Sequence, residues 1–372
     1  MTLAAPFAKK ISRRIFLQSL MQAPLALFLA GCAGIGGGES GPRAPGLGAQ
    51  ARRQNRIYGA AVQSWQLKDA QFAAALKREA AMLVPENELK WDAVHPAPGR
   101  FDFRGYRRLA GFAHANGMAM RGHCLVWHRS NPVWLKAALV RASRGEAEKI
   151  MEQHIRRVLH ETAPMIRQWD VVNEAFDPQS ERADGWRETL WLRALGPGYV
   201  PLAYRLAHEA DPDLILVYND YGLAYSDRGG HRKRQLVLRF LERCMRDNVP
   251  LHALGLQSHL DPSRPLAGDE FTGFLEQVRG MGYAVLVTEL DLNLARLPGP
   301  MAGNITPAQH YVRVYLDMLQ KTGAIDTLLT WGLSDRYTWL REYWPHIEGA
   351  LPLDRNLNRA ALWETLRAGW LG

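Results

Sequence analysis

The sequence predicts an α/β fold, a single (β/α)8 TIM barrel over residues 51–372, from three observations. From Arg56 onward, eight short apolar runs alternate with amphipathic stretches, and no linker interrupts the alternation. At seven of the eight runs, the carboxyl end changes to polar and aromatic residues, as at the active face of a barrel. The alternative is an open doubly wound sheet, which would normally carry a glycine-rich phosphate turn after its first strand. Residues 59–62 (GAAV) form no such turn.

The predicted strands and helices follow one another along the chain. The strands are Ile57–Val62, Ala81–Pro85, Ala119–Val126, Gln168–Val172, Leu214–Tyr218, Ala253–Gln257, Ala284–Thr288 and Thr327–Trp331. Helical spacing is clearest at Asp69–Glu79, Glu146–His160, Tyr199–Ala210, Arg232–Arg246, Phe271–Arg279, Pro307–Gln320 and Arg359–Arg367. Eight strand–helix units over about 320 residues suit a closed barrel better than an open sheet.

Residues 1–31 have the order of an export signal. A basic start is followed by a mainly apolar run, too short and too polar to span a membrane. Residues 12–17 (SRRIFL) resemble the twin-arginine motif, which predicts export by that route. Residues 29–32 (LAGC) resemble a lipobox, which predicts a lipid on Cys32 and a periplasmic or outer-membrane lipoprotein. The alternative is an ordinary cleaved signal in which Cys32 is incidental. The seven glycines of residues 33–50 make residues 32–50 a flexible tether.

Composition excludes several classes of protein. Of the net charge of +9, four units lie in residues 1–31, and the remaining excess is spread along the chain. We therefore expect no nucleic-acid partner. Three cysteines exclude a disulfide scaffold, and no paired cysteine or histidine motif predicts a zinc site. The 12 tryptophans point instead to a flat, partly apolar ligand.

The polar residues at the strand ends define the predicted site. In chain order they are Glu86, Asn87 and Lys90; His123, Trp127 and His128; Asn173 and Glu174; Asn219 and Asp220; Gln257 and His259; Glu289 and Asp291; Trp331 and Asp335. A lone glutamate at a strand end is more often a helix cap or an ion-pair partner. Glu174 and Glu289 each follow an apolar strand, and with a lysine and several tryptophans they suit glycoside hydrolysis. That reaction uses one carboxylic acid and one carboxylate.

Residues from about 57 to 370 resemble glycoside hydrolase family 10, the retaining endo-β-1,4-xylanases. Seven stretches carry the resemblance, in order and on the predicted strands: PENELKW (85–91), GHCLVWH (122–128), WDVVNEA (169–175), YNDY (218–221), LQSH (256–259), TELD (288–291) and WGLSD (331–335). The resemblance implies hydrolysis of internal bonds of xylan without a cofactor or metal, by a protein expected to be a monomer.

The resemblance also implies roles for individual residues. Glu174 matches the general acid/base and Glu289 the nucleophile. Asn173 would bind the 2-hydroxyl of the sugar, His259 would orient Glu289, and Gln257 would support Glu174. The alternative for His259 is a histidine satisfied in the core. Glu86, Asn87 and Lys90 match residues that bind the glycone sugars. Five ring-bearing residues would form an aromatic wall around the substrate. His123 and Trp127 would surround the sugar unit that is cleaved. Trp331 and Trp339 would close over the glycone, and Tyr221 would stack on the leaving-group side. Some of the tryptophans, such as Trp363, are expected only to pack the core.

Two rim positions depart from the family pattern, which usually has Gln where Ser130 stands and Asn where Gly222 stands. They leave subsite strength and product pattern open, as the sequence leaves open whether Cys124 and Cys244 meet. Other functions remain as alternatives: a retaining glycosidase on another β-1,4-glycan or on xylo-oligosaccharides, a lipoprotein that binds glycan without cleaving it, or a metal-dependent or phosphate-binding barrel enzyme.

Overall fold

The computed structural model describes residues 44–297, 306–323 and 325–372. The predicted signal, Cys32 and most of the tether lie outside these residues. Within the described ranges, no helix is both long enough and apolar enough to cross a membrane. The first described helix, Leu47–Arg53, begins inside the predicted tether, because Leu47 and Ala51 are buried against the barrel. Folded chain therefore starts before the predicted boundary at residue 51.

A closed parallel barrel forms the centre of the molecule. Its strands are β1 (Ile57–Val62), β2 (Met82–Pro85), β3 (Ala119–Val126), β4 (Ile166–Asn173), β5 (Ile215–Asp220), β6 (Ala253–Leu256), β7 (His259–Leu260), β8 (Ala284–Leu292) and β9 (Thr327–Thr330). Neighbouring strands pair in parallel, β6 pairs directly with β8, and β9 pairs with β1 to close the ring. The two-residue β7 continues β6 and pairs with β8, so the barrel has eight strand positions. The predicted (β/α)8 barrel is confirmed.

Helices surround the barrel on the outside. Those predicted from the sequence are Ala70–Glu79, Arg144–Thr162, Tyr199–Ala210, Arg228–Arg246, Asp269–Gly280, Thr306–Lys321 and Ala361–Trp370. Five further helices were not predicted: Leu47–Arg53, Trp91–Val94, Arg104–Ala115, Val133–Arg141 and Leu190–Leu195. Three of these five have seven residues or fewer, too short for helical periodicity to show clearly.

The core has two layers, one inside the barrel and one between strands and helices. The interior is filled mainly by small and branched side chains, among them Ala61, Val84, Ile215, Val217 and Leu286. The outer layer holds most of the large aromatic residues. Trp363 is among them, and its predicted role in core packing is confirmed.

Strand β8 is longer than the sequence predicts. It runs to Leu292, so Glu289 lies within the strand and not after its end, which corrects the predicted position. The pairing of β8 with β9 shifts register between Val287 and Leu290, a local irregularity that surrounds Glu289. Its partner β7 supports the extension, because His259 pairs with Asp291.

A buried carboxylate joins the two ends of the described chain. Glu79, at the end of the helix that follows β1, accepts hydrogen bonds from the backbone of Leu47 (3.3 Å) and from Trp363 Nε1 (2.8 Å). The guanidinium groups of Arg78 (2.8 Å) and Arg359 (3.1 Å) complete its surroundings. The first helix, the helix after β1 and the last helix are thus held together at one carboxylate.

Candidate active site

The predicted site residues form one connected set at the carboxyl ends of the barrel strands. Ring and hydrogen-bond contacts link the glycone residues to the aromatic wall, and the wall to the two glutamates. The set comprises Glu86, Asn87, Lys90, His123, Trp127, Asn173, Glu174, Tyr221, Gln257, His259, Glu289, Trp331 and Trp339. Residues from seven of the eight strand positions therefore meet at one place.

Glu289 is held at both carboxylate oxygens. Asn219 Nδ2 donates to Oε1 over 2.6 Å, and His259 Nε2 lies 3.1 Å from Oε2. The other ring nitrogen of His259 lies 2.9 Å from Asp291, which also accepts a hydrogen bond from Trp339 Nε1 at 2.7 Å. Glu289 is only 3% exposed, so this carboxylate is fixed in direction and shielded from water.

Two histidines, the buried His123 and the partly exposed His259, keep positive charge beside Glu289. Burial alone would lower the pKa of His259, but the carboxylates of Asp291 and Glu289 outweigh it and raise the pKa to about 10. His123 lies 3.8 Å from Glu289 and 2.9 Å from Asp170, and its neighbours likewise overcome burial and raise its pKa to about 10. Both imidazoles therefore carry positive charge next to the Glu289 carboxylate near neutral pH.

Glu174 follows β4 in an unusual backbone conformation. Its φ is +57°, in the left-handed region that side chains other than glycine rarely adopt. Two backbone contacts hold it there: its N–H donates to the carbonyl of Asn219 (2.9 Å), and its carbonyl accepts from Arg187 Nε (3.0 Å). The turn directs the carboxyl group to Gln257, whose Nε2 donates to Oε1 over 3.0 Å.

The surroundings of Glu174 are more balanced than those of Glu289. Burial favours the neutral carboxyl, but the hydrogen bond from Gln257, the charge of Lys233 and the Trp127 indole outweigh it and lower the pKa of Glu174. His128 Nδ1 lies 3.6 Å from Oε2, and burial lowers the pKa of His128 to about 4, so this imidazole is neutral at neutral pH. A second negative charge or loss of water around Glu174 would therefore readily favour its protonated form.

Asn173 lies between the two carboxylates and has two hydrogen-bonding orientations. In one, its oxygen accepts from Asn219 Nδ2 (3.0 Å) and Gln257 Nε2 (3.1 Å). In the other, its oxygen accepts from Trp127 Nε1 (3.1 Å) and its nitrogen donates to the Asn219 carbonyl (3.2 Å). In either orientation the amide belongs to the network that connects Glu289 with Glu174.

The polar residues that follow β2 form a patch beside the carboxylates. Lys90 Nζ donates to Asn87 Oδ1 over 2.7 Å and lies 5.1 Å from the ring centre of Trp127 and 5.8 Å from that of Trp331. Glu86 is buried and accepts from Gln63 Nε2 over 3.0 Å. Burial raises the pKa of Glu86 to about 7, against the charge of Lys90. The patch thus offers both donors and acceptors to a polyhydroxylated ligand.

Aromatic rings enclose this part of the site. The Trp331 ring lies edge-on to His123, with ring centres 5.0 Å apart, and the Trp339 ring lies 5.3 Å from that of His259. Both indoles are therefore braced by the histidines that face Glu289.

Tyr221 lies on the other side of Glu174 and is fixed by two cations. Arg187 Nη2 donates to its hydroxyl over 2.7 Å, and Lys233 Nζ lies 3.2 Å from its ring centre. Lys233 is 1% exposed and pairs with Asp220 at 2.5 Å. One face of the ring is thus occupied by Lys233.

The two rim departures both stand at turns with positive φ, +51° at Ser130 and +73° at Gly222. A Cβ atom at residue 222 would meet no atom within 4 Å, so there is open space at this turn next to Tyr221. The two cysteines of the barrel, Cys124 and Cys244, are buried and free, so they do not form a disulfide.

Sequence reasoning missed several residues that build the site. Arg121 is fully buried in β3 and pairs with Asp170 through both terminal guanidinium nitrogens, Nη1 at 2.6 Å and Nη2. In the sequence, Arg121 could have been recognised as a single cationic residue within an otherwise mainly apolar strand. Arg187 and Lys233, which fix Tyr221, are also missing from the predicted site. The signal of Lys233 was a lysine on the buried face of its helix.

One group of residues has the spacing of a metal site. The ligand atoms of His123, Asp170 and Glu289 lie within 4.8 Å of one another. Arg121 contacts both carboxylate oxygens of Asp170, and His123 contacts one of them. The donors are therefore already neutralised by protein cations, and the residues present do not fit a divalent ion.

A closed barrel with two differently held carboxylates, a patch of polar donors and acceptors, and aromatic walls at its carboxyl face is typical of a glycoside hydrolase. Residues 46–368 match the family model described as Glycosyl hydrolase family 10, and the chain belongs to this family.

Similar proteins extend over nearly the whole chain. Endo-1,4-beta-xylanase B of Thermotoga neapolitana is 31% identical over 342 residues, which cover 90% of this chain and 93% of that protein. Endo-1,4-beta-xylanase 1 of Humicola insolens is 32% identical over 84% of this chain and 71% of its own. The crystal structure of xylanase 10B from Thermotoga petrophila in complex with xylobiose has a TM-score of 0.79 at 28% identity, covering 89% of this chain and 98% of that one.

Proposed function

We propose that the protein is a retaining endo-1,4-β-xylanase that cleaves internal β-1,4 bonds of xylan. The observation that carries this is the pair Glu289 and Glu174, joined through Asn219, Asn173 and Gln257 and held in different surroundings. Glycoside hydrolysis with retention requires one carboxylate that attacks the sugar and one carboxyl group that first donates and then accepts a proton. The similar proteins named xylanases support xylan as the substrate.

In the first step, Glu289 attacks the anomeric carbon and Glu174 donates a proton to the leaving oxygen. Asn219, His259 and His123 face the oxygens of Glu289 and hold its carboxylate in position for the attack. A bound sugar displaces water from Glu174, and the nearby negative charge of Glu289 then favours its protonated form. The bond from Glu289 to the sugar forms as the glycosidic bond breaks.

In the second step, Glu174 works as a base. Once Glu289 is esterified its charge is lost, and Glu174 returns to the lowered pKa that Gln257 and Trp127 support. It takes a proton from water, which attacks the anomeric carbon and releases Glu289. Asn173 binds the 2-hydroxyl, a hydrogen bond that strengthens as positive charge develops on the ring.

The substrate-binding residues favour xylose over glucose. Glu86, Asn87 and Lys90 bind glycone hydroxyls, while Trp331 and Trp339 take up the space that a hydroxymethyl group would need. Tyr221 offers the ring face not covered by Lys233 to the leaving sugar. We propose a monomer with no cofactor, because every group that this mechanism uses comes from one chain.

Two variants test the mechanism. Glu289→Ala should lower kcat on xylan and on an aryl xylobioside by at least about 10⁴-fold, because no bond to the sugar can form. Glu174→Ala should lower kcat/KM on xylan by about 10³-fold but spare the first step on a dinitrophenyl xylobioside, whose leaving group needs no proton. The exposed Glu276→Ala is the control, with wild-type kinetics expected.

Other outcomes would decide between the alternatives. Equal losses on both substrates in Glu174→Ala would contradict the assignment of the acid/base. Reducing-sugar release from carboxymethyl-cellulose but not from xylan would show a different β-1,4-glycanase. Binding of xylohexaose without cleavage would show a binding protein, and loss of activity in EDTA would show a metal-dependent enzyme. Anomer analysis by NMR tests retention.

The N-terminal sequence supports export by the twin-arginine route and a lipid on Cys32, which would place the enzyme in the periplasm or on the outer membrane. Cell fractionation and mass spectrometry of the mature N-terminus test this. A soluble periplasmic Cys32→Ala variant beside a membrane-bound wild type is the expected result. Equal fractionation of the two would contradict the lipid anchor.

A further inference from the structure

The turn between β6 and β7 separates two side chains that support the proposed catalytic carboxylates. Gln257 donates to Glu174, and His259 contacts Glu289. On a regular strand, residues two apart point to the same face. Ser258, between them, has a φ of +62°, in the left-handed region that side chains other than glycine rarely adopt. The turn therefore sets the direction of His259 separately from that of Gln257.

Tyr225, in the loop after β5, holds the backbone that follows this turn. Its hydroxyl donates to the carbonyl of His259 over 2.8 Å and accepts from the N–H of Asp261 over 2.9 Å. These two residues flank Leu260, so one phenol fixes both ends of β7. The guanidinium carbon of Arg264 lies 3.5 Å from the centre of the phenol ring. Burial raises the pKa of Tyr225 to about 12, so its hydroxyl keeps the proton that it donates.

Tyr315 holds the turn itself. It comes from the helix Thr306–Lys321, and its hydroxyl lies 2.6 Å from Ser258 Oγ. Ser258 Oγ donates to the carbonyl of Leu256 over 3.1 Å, so its lone pairs are left to accept from Tyr315. The N–H of Asp291, in β8, donates to the carbonyl of Ser258 over 3.4 Å. The serine is thus tied to the end of β6, to β8 and to an outer helix.

Both tyrosines lie beneath the surface of the site, whereas His259 reaches into it. Tyr225 is 3% exposed and Tyr315 is 1% exposed, so neither reaches the substrate. The two ring nitrogens of His259 lie 3.1 Å from Glu289 and 2.9 Å from Asp291. A displacement of the His259 backbone by about 1 Å would break one of these contacts. Misplacement of a catalytic group by about that distance costs up to about 100-fold in rate.

We propose that Tyr225 and Tyr315 are positioning residues which, through the turn at Ser258, direct His259 to Glu289. The inference rests on the proposed xylanase function and adds to it two residues outside the seven stretches that resemble the family. Their hydroxyls contact the turn and not the substrate. Their loss therefore lowers the rate at which Glu289 attacks the sugar and leaves the affinity for the substrate unchanged.

The test is single-turnover release of dinitrophenol from dinitrophenyl β-xylobioside with the enzyme in excess, which measures the attack by Glu289. We expect the double variant Tyr225→Phe/Tyr315→Phe to lower the rate constant about tenfold, with each single variant in between. The dissociation constant, from the dependence on enzyme concentration, should stay at the wild-type value. Tyr283→Phe is the matched control, because the buried Tyr283 hydroxyl also donates to a backbone carbonyl, that of Leu241 (2.9 Å). Its rate constant should equal that of the wild type.

The other outcomes are decisive. An unchanged rate constant in the double variant overturns the positioning role and leaves the proposed function intact. An equal loss in Tyr283→Phe also overturns it, because it shows a general effect of lost stability. If the double variant does not fold, the same criteria apply to the single variants. If the wild type releases no dinitrophenol, the proposed function fails, and a crystal structure of the double variant decides the positioning role. Loss of the 3.1 Å contact between His259 and Glu289 supports it, and retention of that contact overturns it.

Discussion

At the scale of single residues, the site depends on how each charged side chain is surrounded. Glu289 and Glu174 are chemically identical, yet one is bordered by two imidazoles with raised pKa values and the other by amide and indole donors. The sequence motifs could predict which residues meet, but not this difference. The pKa directions depend on burial and on partners such as Lys233 that come from distant parts of the chain.

Glu86 should make substrate binding depend on pH near neutrality. Its pKa is raised to about 7, so it ionises between pH 6 and 8, and an ionised carboxylate accepts stronger hydrogen bonds from sugar hydroxyls. We expect KM for xylotriose to fall about fivefold over this range in the wild type. In Glu86→Gln the KM should be higher and independent of pH. A parallel pH dependence in the variant would contradict this role.

His259 should link stability to pH in a defined direction. Its pKa rises from 6.5 to about 10 on folding, chiefly through Asp291 once burial is overcome. The protonated form is thus favoured by folding: the contribution is full below pH 6.5 and is lost as the pH rises towards 10.

The corresponding variant is His259→Gln. We expect it to be less stable than the wild type by about 3 kcal/mol at pH 5.5, with a clearly smaller difference at pH 9.5. Urea unfolding at both pH values measures this. The exposed His114→Gln should show no such trend. A difference that grows with pH would contradict the assignment.

At the scale of elements, the alternation of short apolar runs with amphipathic stretches predicted the barrel. The strands appear as apolar runs because both the inner and the outer face of the barrel sheet are buried. The strands β1 and β3 were predicted with their observed bounds, and the other six predicted strands within four residues, whereas the two-residue β7 was not predicted. The extension of β8 could not be predicted, because it depends on pairing with His259–Leu260, which comes from elsewhere in the chain. The left-handed conformation of Glu174 had no signal in the sequence either, since a glycine or asparagine would mark such a position.

Arg121 shows how strands β3 and β4 are joined inside the barrel. It is fully buried, pairs with Asp170 and donates to Gln168 Oε1 over 2.8 Å. We expect Arg121→Met to lower the free energy of unfolding by about 3–5 kcal/mol, since Asp170 would keep a buried charge with only His123 beside it. Chemical denaturation measures this loss.

A double variant separates charge from packing. In Arg121→Met with Asp170→Asn the buried charge is absent, so part of the lost stability should return. The exposed Arg108→Met, on the helix Arg104–Ala115, is the control. Equal stability of Arg121→Met and the wild type would show that the ion pair contributes nothing net.

At the scale of the whole molecule, a barrel must close both its sheet and its layer of helices. The sheet closes through β1 and β9, whose register pairs Ile57 with Thr327. The helical layer closes at Glu79, where the first helix, the helix after β1 and the last helix meet. Of these three helices, the sequence predicted the helix after β1 and the last helix, but not the first. It also did not predict that Glu79 joins them, because hydrophobic periodicity carries no information about a single buried acid.

Glu79→Gln should therefore weaken the entire barrel without altering the site. Burial opposes the ionised form, but Arg78, Trp363 and Arg359 outweigh it and lower the pKa of Glu79, so its stabilisation is present above pH 4.5 and is lost as the pH falls further. At pH 7 we expect a loss of about 2 kcal/mol, or roughly 3 °C in Tm, in one cooperative transition. The difference in Tm between the variant and the wild type should shrink as the pH falls below 4.5. Activity at 25 °C should match the wild type, because Glu79 lies at the opposite end of the barrel from the carboxylates.

The exposed Glu364→Gln on the last helix is the control. Separate unfolding of the terminal helices in Glu79→Gln would show that this carboxylate anchors the ends locally and does not close the barrel.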